Sequence, residues 1–117
     1  MAFETMYEAL AGSPVTTLTA SIIETDLVIP VSVPGALPAP PNIATIYDGN
    51  NFETVLYTAK DATTITVDSR ALEGVARAWG QGTKISRLIT AYDHNTFKNN
   101  FSKFKIVDGS LALEEVV

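Results

Sequence analysis

The chain has no cysteine in its 117 residues and only one histidine, His94. Without cysteine there are no disulfides and no thiolate metal sites. One histidine is too few for a zinc centre, which draws three or four ligands from His, Cys and carboxylate. No D-x-[DN]-x-[DN]-G string marks a calcium loop, and Asp48-Gly49-Asn50-Asn51 reads more simply as a turn. The sequence therefore assigns no metal and no cofactor. Lysine and arginine are missing from residues 1–59, which carry Glu4, Glu8, Glu24, Asp26, Asp48 and Glu53. All eight basic residues lie in 60–105, against four acids, and the net charge is −5. An acidic total argues against nucleic acid as a partner. The segregation of sign is either a chance excess or a two-faced surface suited to stacking identical or related subunits. The N-terminus MAFETMYEAL has no basic stretch, so no signal peptide is expected and synthesis would finish in the cytoplasm. The longest apolar run, around Leu27 to Pro41, is cut by five prolines and is not a membrane helix.

What is present is β-forming. Thr, Val and Ile are abundant from end to end, and branched side chains of this kind suit a pleated surface. Apolar residues are 46% and charged residues 18%. That is a globular composition, and the length is that of one domain. TTLTASI (Thr16 to Ile22) and DLVIPVS (Asp26 to Ser32) read as strands, the second at a sheet edge because Pro30 lacks an amide donor. NIATIYD and ETVLYTAKD flank GNN, the strongest hairpin signal in the chain. TTITVD follows a turn at Asp61-Ala62. SRALEGVARAWGQG, with three glycines, reads as an ordered loop with Trp79 inward. GTKISRLITA (Gly82 to Ala91) is the last clear strand, with Ile85 and Ile89 on one face. Phe97, Phe101 and Phe104 then fall at helical spacing. A helix over 93–105 is predicted, capped by Asp93 or Asn95, with Lys98, Lys103 and Lys105 toward its C-terminal end. A turn at Asp108-Gly109 and a solvated tail at Glu114-Glu115 close the sequence.

The fold expectation is mainly β: a small single-domain sandwich or barrel with a short C-terminal helix. Its parts would be an N-terminal arm (1–12), a β-core (13–91), the helix (93–105) and a tail (106–117).

Asp93-His94 is the one candidate for catalysis, with Ser86 or Ser102 as a hydroxyl source. A Ser-His-Asp site needs three convergent groups and an oxyanion hole. Neighbours on a helix point about 100° apart, so Asp93 is poorly placed to orient His94. A capping or surface histidine is expected instead, and no catalytic residue is assigned. GQGT (Gly80 to Thr83) lacks the spacing of a phosphate-binding loop. Tyr47, Phe52, Tyr57, Trp79 and Tyr92 could line a sugar site, but their strand positions favour core or inter-subunit packing.

The stretch from Ser13 to Phe101 resembles a domain of tailed-phage structural proteins and phage-derived tail particles, where it often forms the N-terminal part of fibre or baseplate-associated proteins. SPVTTL, LPAPPNIATI, ETVLYTAK, RALEGVARAWGQGTKISR and TAYDHNTFKNN carry the resemblance. Such proteins typically show a Glu-x-Val-x-Tyr-Thr strand, an Arg-Gly-x-x-Gly-Thr-Ala loop, a Trp, Ala-Gly-Thr and a closing Thr-Ala-Tyr-Asp-His. Here Ala71 stands where Gly is usual, Val75 where Thr is usual and Gln81 where Ala is usual. The resemblance implies a non-enzymatic structural component at the baseplate or fibre attachment of a virion or tail particle. Its partners would be other particle proteins, with homo-oligomeric contacts and no membrane insertion. The assembly-interface candidates are Tyr92, His94, Phe97, Phe101 and Phe104. A head decoration or neck protein, and a small carbohydrate-binding accessory module, are the alternatives.

Overall fold

A computed structural model describes the backbone of residues 3–107 and 110–113 and the side chains of 3–104. Its contacts divide into two compact units, Glu8–Leu88 and Met1–Tyr7 with Ile89–Val117. The fold is mainly β, as the composition indicates, with one short helix late in the chain.

Glu8–Leu88 holds six antiparallel strands: β1 (Val15–Thr17), β2 (Val28–Pro30), β3 (Asn42–Tyr47), β4 (Phe52–Lys60), β5 (Thr64–Gly74) and β6 (Lys84–Ser86). Their order across the sheet is β1-β6-β3-β4-β5-β2. The sheet curls into a half-barrel whose two edge strands meet at a Leu18–Val31 bridge. There Thr19 N–H donates to the Pro30 carbonyl at 3.1 Å and Ser32 N–H to the Thr17 carbonyl at 2.9 Å. Pro30 closes its strand at this seam, on the edge strand where a residue without an amide donor is tolerated.

Alternation fills the interior. Val55 and Tyr57 of β4 and Ile65 and Val67 of β5 point inward to join Leu18, Ile22, Ile29, Val31, Leu37, Ala44, Ile46, Trp79 and Ile85. β3 is buried on both faces from Asn42 to Ile46. Its outer face is crossed by the chain before β1. Asn42 Nδ2 and Arg87 Nε donate to the Glu8 carbonyl, and Ser86 Oγ to those of Ser13 and Pro14. The GNN hairpin forms as its residues require: the Asp48 carboxylate accepts from the Asn50 and Asn51 amides and joins β3 to β4. Asp61 performs the same task with Thr63 and Thr64 at the next turn.

Several boundaries differ from the sequence reading. The first two strands are shorter, Val15–Thr17 rather than Thr16–Ile22 and Val28–Pro30 rather than Asp26–Ser32. The segment read as a loop from Ser69 is strand as far as Gly74, because pairing with β4 continues through bulges to Glu53↔Gly74. The strand read through Ala91 stops at Ser86, and Ile89 is 70% exposed rather than sharing a buried face with Ile85. The helix, α1, runs Ala91–Phe101 rather than 93–105. Its N-cap is Thr90, not Asp93 or Asn95: Thr90 Oγ1 accepts from the Asp93 amide while the Asp93 carboxylate accepts from the Thr90 amide, a capping box. Phe104 begins a strand, β7 (Phe104–Val107), paired with β8 (Ser110–Leu113). The expected turn at Asp108-Gly109 and tail at Glu114-Glu115 lie outside the described residues.

Candidate functional site

The unit containing α1 carries an aromatic face. Phe97 and Phe101, one helical turn apart, face the same way. Their rings stack with centroids 6.0 Å apart and planes inclined by 17°. Phe101 meets Phe104 at 6.5 Å, and Phe104 stacks on Phe3 at 5.8 Å. Lys103 Nζ lies 5.8 Å from the centre of the Phe3 ring, over its face. That is within range of a cation–π contact. The ladder is not core. Phe3 is 47% exposed, Phe97 56%, Phe101 57% and Phe104 37%. Among the described side chains of this unit only Thr96 is buried.

The candidates named from the sequence separate here. Phe97, Phe101 and Phe104 come together. Tyr92 lies on a second aromatic pair, stacked on Tyr7 at 5.7 Å, with its hydroxyl donating to the Thr5 carbonyl at 2.6 Å. Partial burial, and then Tyr7, push the Tyr92 phenol above its ordinary pKa. His94 is an exposed helix residue. The possible partners for nucleophilic chemistry are engaged elsewhere. The Asp93 carboxylate accepts from Thr90, Ser86 Oγ donates to the Ser13 and Pro14 carbonyls, and Ser102 Oγ donates to the Asn99 carbonyl. No cluster of three metal-ligating side chains occurs among the described residues.

Sequence reading misses Phe3 as the last rung, because nothing in FETMYEAL signals proximity to the far end of the chain. The Asn100 side chain supplies that proximity. Its Oδ1 accepts from the Glu4 amide at 2.8 Å and its Nδ2 donates to the Glu4 carbonyl at 2.9 Å.

A second constellation lies in Glu8–Leu88. Glu53 is fully buried at the start of β4 and receives five donors. Arg70 grips it bidentately, Nε to Oε2 at 2.6 Å and Nη2 to Oε1 at 2.9 Å. The Ala71 amide, the Arg77 amide and Trp79 Nε1 complete the set. Burial raises the Glu53 carboxyl pKa, but Arg70, Trp79 and the Arg77 amide outweigh it and hold the group below the ordinary glutamate value. Arg70 Nη1 also donates to the Ile23 and Asp26 carbonyls at 2.7 and 2.9 Å, so the hub fixes the turn before β2. One signal in the sequence points to it: Glu53 shares the inward face of β4 with Val55 and Tyr57, and an acid there must be paired.

Tyr57 and Trp79 are buried, as packing rather than sugar binding requires. Tyr47, by contrast, helps line an open cleft of about 560 Å³ with Asp48, Gly49, Gly82, Thr83 and Lys84. No helix among the described residues is long and apolar enough to cross a membrane. Comparison with protein-family models, with curated proteins and with solved structures finds no match.

Proposed function

We propose that the chain is a structural component of a tailed-phage virion or phage-derived tail particle, working at the baseplate or fibre attachment through contacts with neighbouring subunits. The observation that carries this reading is the exposed ladder Phe3-Phe104-Phe101-Phe97. Four adjoining, partly exposed rings form a contiguous apolar patch of the kind that marks an interaction surface. Support also comes from the loop that the fibre-like motif covers. Ala71, at the motif's first glycine position, has φ +53°, and Gly74, at its second, has φ +79°. A backbone in this region favours glycine, so the conformation suits the Gly-x-x-Gly pattern even where this chain departs from it.

The test is quantitative mass spectrometry of tail particles purified from cells making them. The chain is expected at a fixed ratio to the other tail proteins, and a Phe101→Asp chain is expected to be depleted from particles. Particles that lack the wild-type chain refute the reading. Recovery with heads alone would make it a decoration or neck protein.

A second reading, a small carbohydrate-binding accessory module, draws on the Tyr47–Lys84 cleft, whose lining includes one aromatic residue, Tyr47, with Asp48 and Lys84. Saturable oligosaccharide binding that is lost in Tyr47→Ala would favour it over assembly.

A further inference from the structure

The aromatic face has a complement elsewhere on the chain. On the half-barrel, the turn Ile23–Asp26 and the edge strand β2 expose Ile23, Leu27 and Val28, each about half accessible. Val28 pairs with Thr66 and the Val67 amide donates to the Leu27 carbonyl at 2.7 Å, while Ile23 opens the preceding turn, its carbonyl accepting from the Asp26 amide at 3.1 Å. Acids surround them, with Glu24 and Asp68 exposed and Asp26 closing the turn by accepting from the Ile23 amide. The turn is held from beneath by Arg70, itself locked to Glu53. The rim is thus apolar, acidic and preorganised. The Phe97–Phe101–Phe104–Phe3 face is apolar and carries Lys98 and Lys103.

We infer that the aromatic face of one copy docks on the Ile23–Val28 rim of a second copy, head to tail. This rests on the reading of the chain as an assembly component and names its partner. Charge selects the arrangement. Two aromatic faces pairing with each other would bring lysine toward lysine, whereas the acidic rim receives those cations and offers branched side chains to the rings. A contact between two different patches that is not returned by the same partner is heterologous, and it then propagates into a ring or a stack.

Sedimentation velocity of the full chain over a wide concentration range tests this. Wild type is expected to form concentration-dependent oligomers that weaken as salt is raised. Phe101→Asp and Val28→Asp should each weaken association about tenfold or more. An equimolar mixture of the two should form one-to-one dimers that do not grow, since it contains one intact face and one intact rim. Lys98→Glu and Glu24→Lys should each weaken association and together in one chain restore it. Circular dichroism verifies folding, and Phe97→Asp or Leu27→Asp replaces any variant that fails to fold. A wild-type chain that stays monomeric throughout overturns the inference. So does a Val28→Asp chain that associates like wild type, or a mixture that stays monomeric. None of these outcomes removes the chain from purified particles, so they are distinct from failure of the broader reading.

Discussion

Glu53 occupies a position where an alternating strand would place a hydrophobe, and its five donors make that tenable. Glu53→Gln keeps the shape but leaves Arg70 buried without its counter-charge. Removing one partner of a buried pair costs roughly 3–5 kcal/mol, which a denaturant titration measures directly. The carboxyl pKa is lowered on folding from an ordinary value of 4.5. Its contribution is therefore fully present above that ordinary value and is lost as the pH falls through the lower folded one. Wild type should lose this share of its stability below pH 4.5. Glu53→Gln should show a correspondingly flatter acid limb. Ala71 presents the opposite opportunity. Its φ is +53°. A side chain is strained there, so Ala71→Gly should stabilise by about 0.5–1 kcal/mol despite the added freedom of the unfolded chain. Gly74→Ala should be costly, because its new Cβ would lie 2.5 Å from the Phe52 carbonyl oxygen. Thermal melts separate the two signs. The burial of Trp79 is legible in the sequence. The need of Glu53 for a partner is legible from strand alternation, but the identity of its partners is not, because donors 17 and 26 residues away leave no local pattern.

The elements that sequence reading places well are those whose signals are local. Asp48, Gly49 and Asn50 dictate a turn by themselves, and β3 and β4 follow on either side. Glycine reads as punctuation, which cuts β5 short, yet Gly74 here serves a close approach to Phe52 inside the pairing. The aromatic spacing carries the helix one turn too far, because Phe104 continues the rhythm of Phe97 and Phe101. Ser102 ends α1, and Phe104 reaches the same ladder from a strand. The start of α1 depends on reciprocal bonds between Thr90 and Asp93. Thr90→Ala should therefore lower stability by about 1 kcal/mol. Helical circular dichroism checks this. The rings of α1 are more than half exposed. Phe101→Ala should thus cost much less in an isolated chain than the roughly 3–5 kcal/mol of a fully buried phenylalanine.

At the scale of the molecule, burial is distributed unevenly. Glu8–Leu88 contains the whole hydrophobic cluster, whereas the other unit rests on an 11-residue helix with a single buried side chain among those described. A helix of that length is marginal in water without tertiary support. Hydrogen exchange should therefore be slowest in β3, β4 and β5, and much faster across α1. Protection of α1 should rise when its aromatic face is covered. Uniform protection across both units would contradict this account.

The strand order β1-β6-β3 has a consequence for how the protein is made. Thr16 pairs with Ile85, and the slot between β1 and β3 stays empty until that late segment arrives. On the ribosome, the β3–β4–β5 meander can form as soon as it emerges, since its pairings span short loops. On that side β1 must wait, edge exposed, until β6 has emerged. Closure of the half-barrel is then a single late event that depends on Lys84, Ile85 and Ser86. A nascent chain stalled just before them would leave the β6-facing edge of its first strand unpaired, open to pairing with any neighbour on the same message.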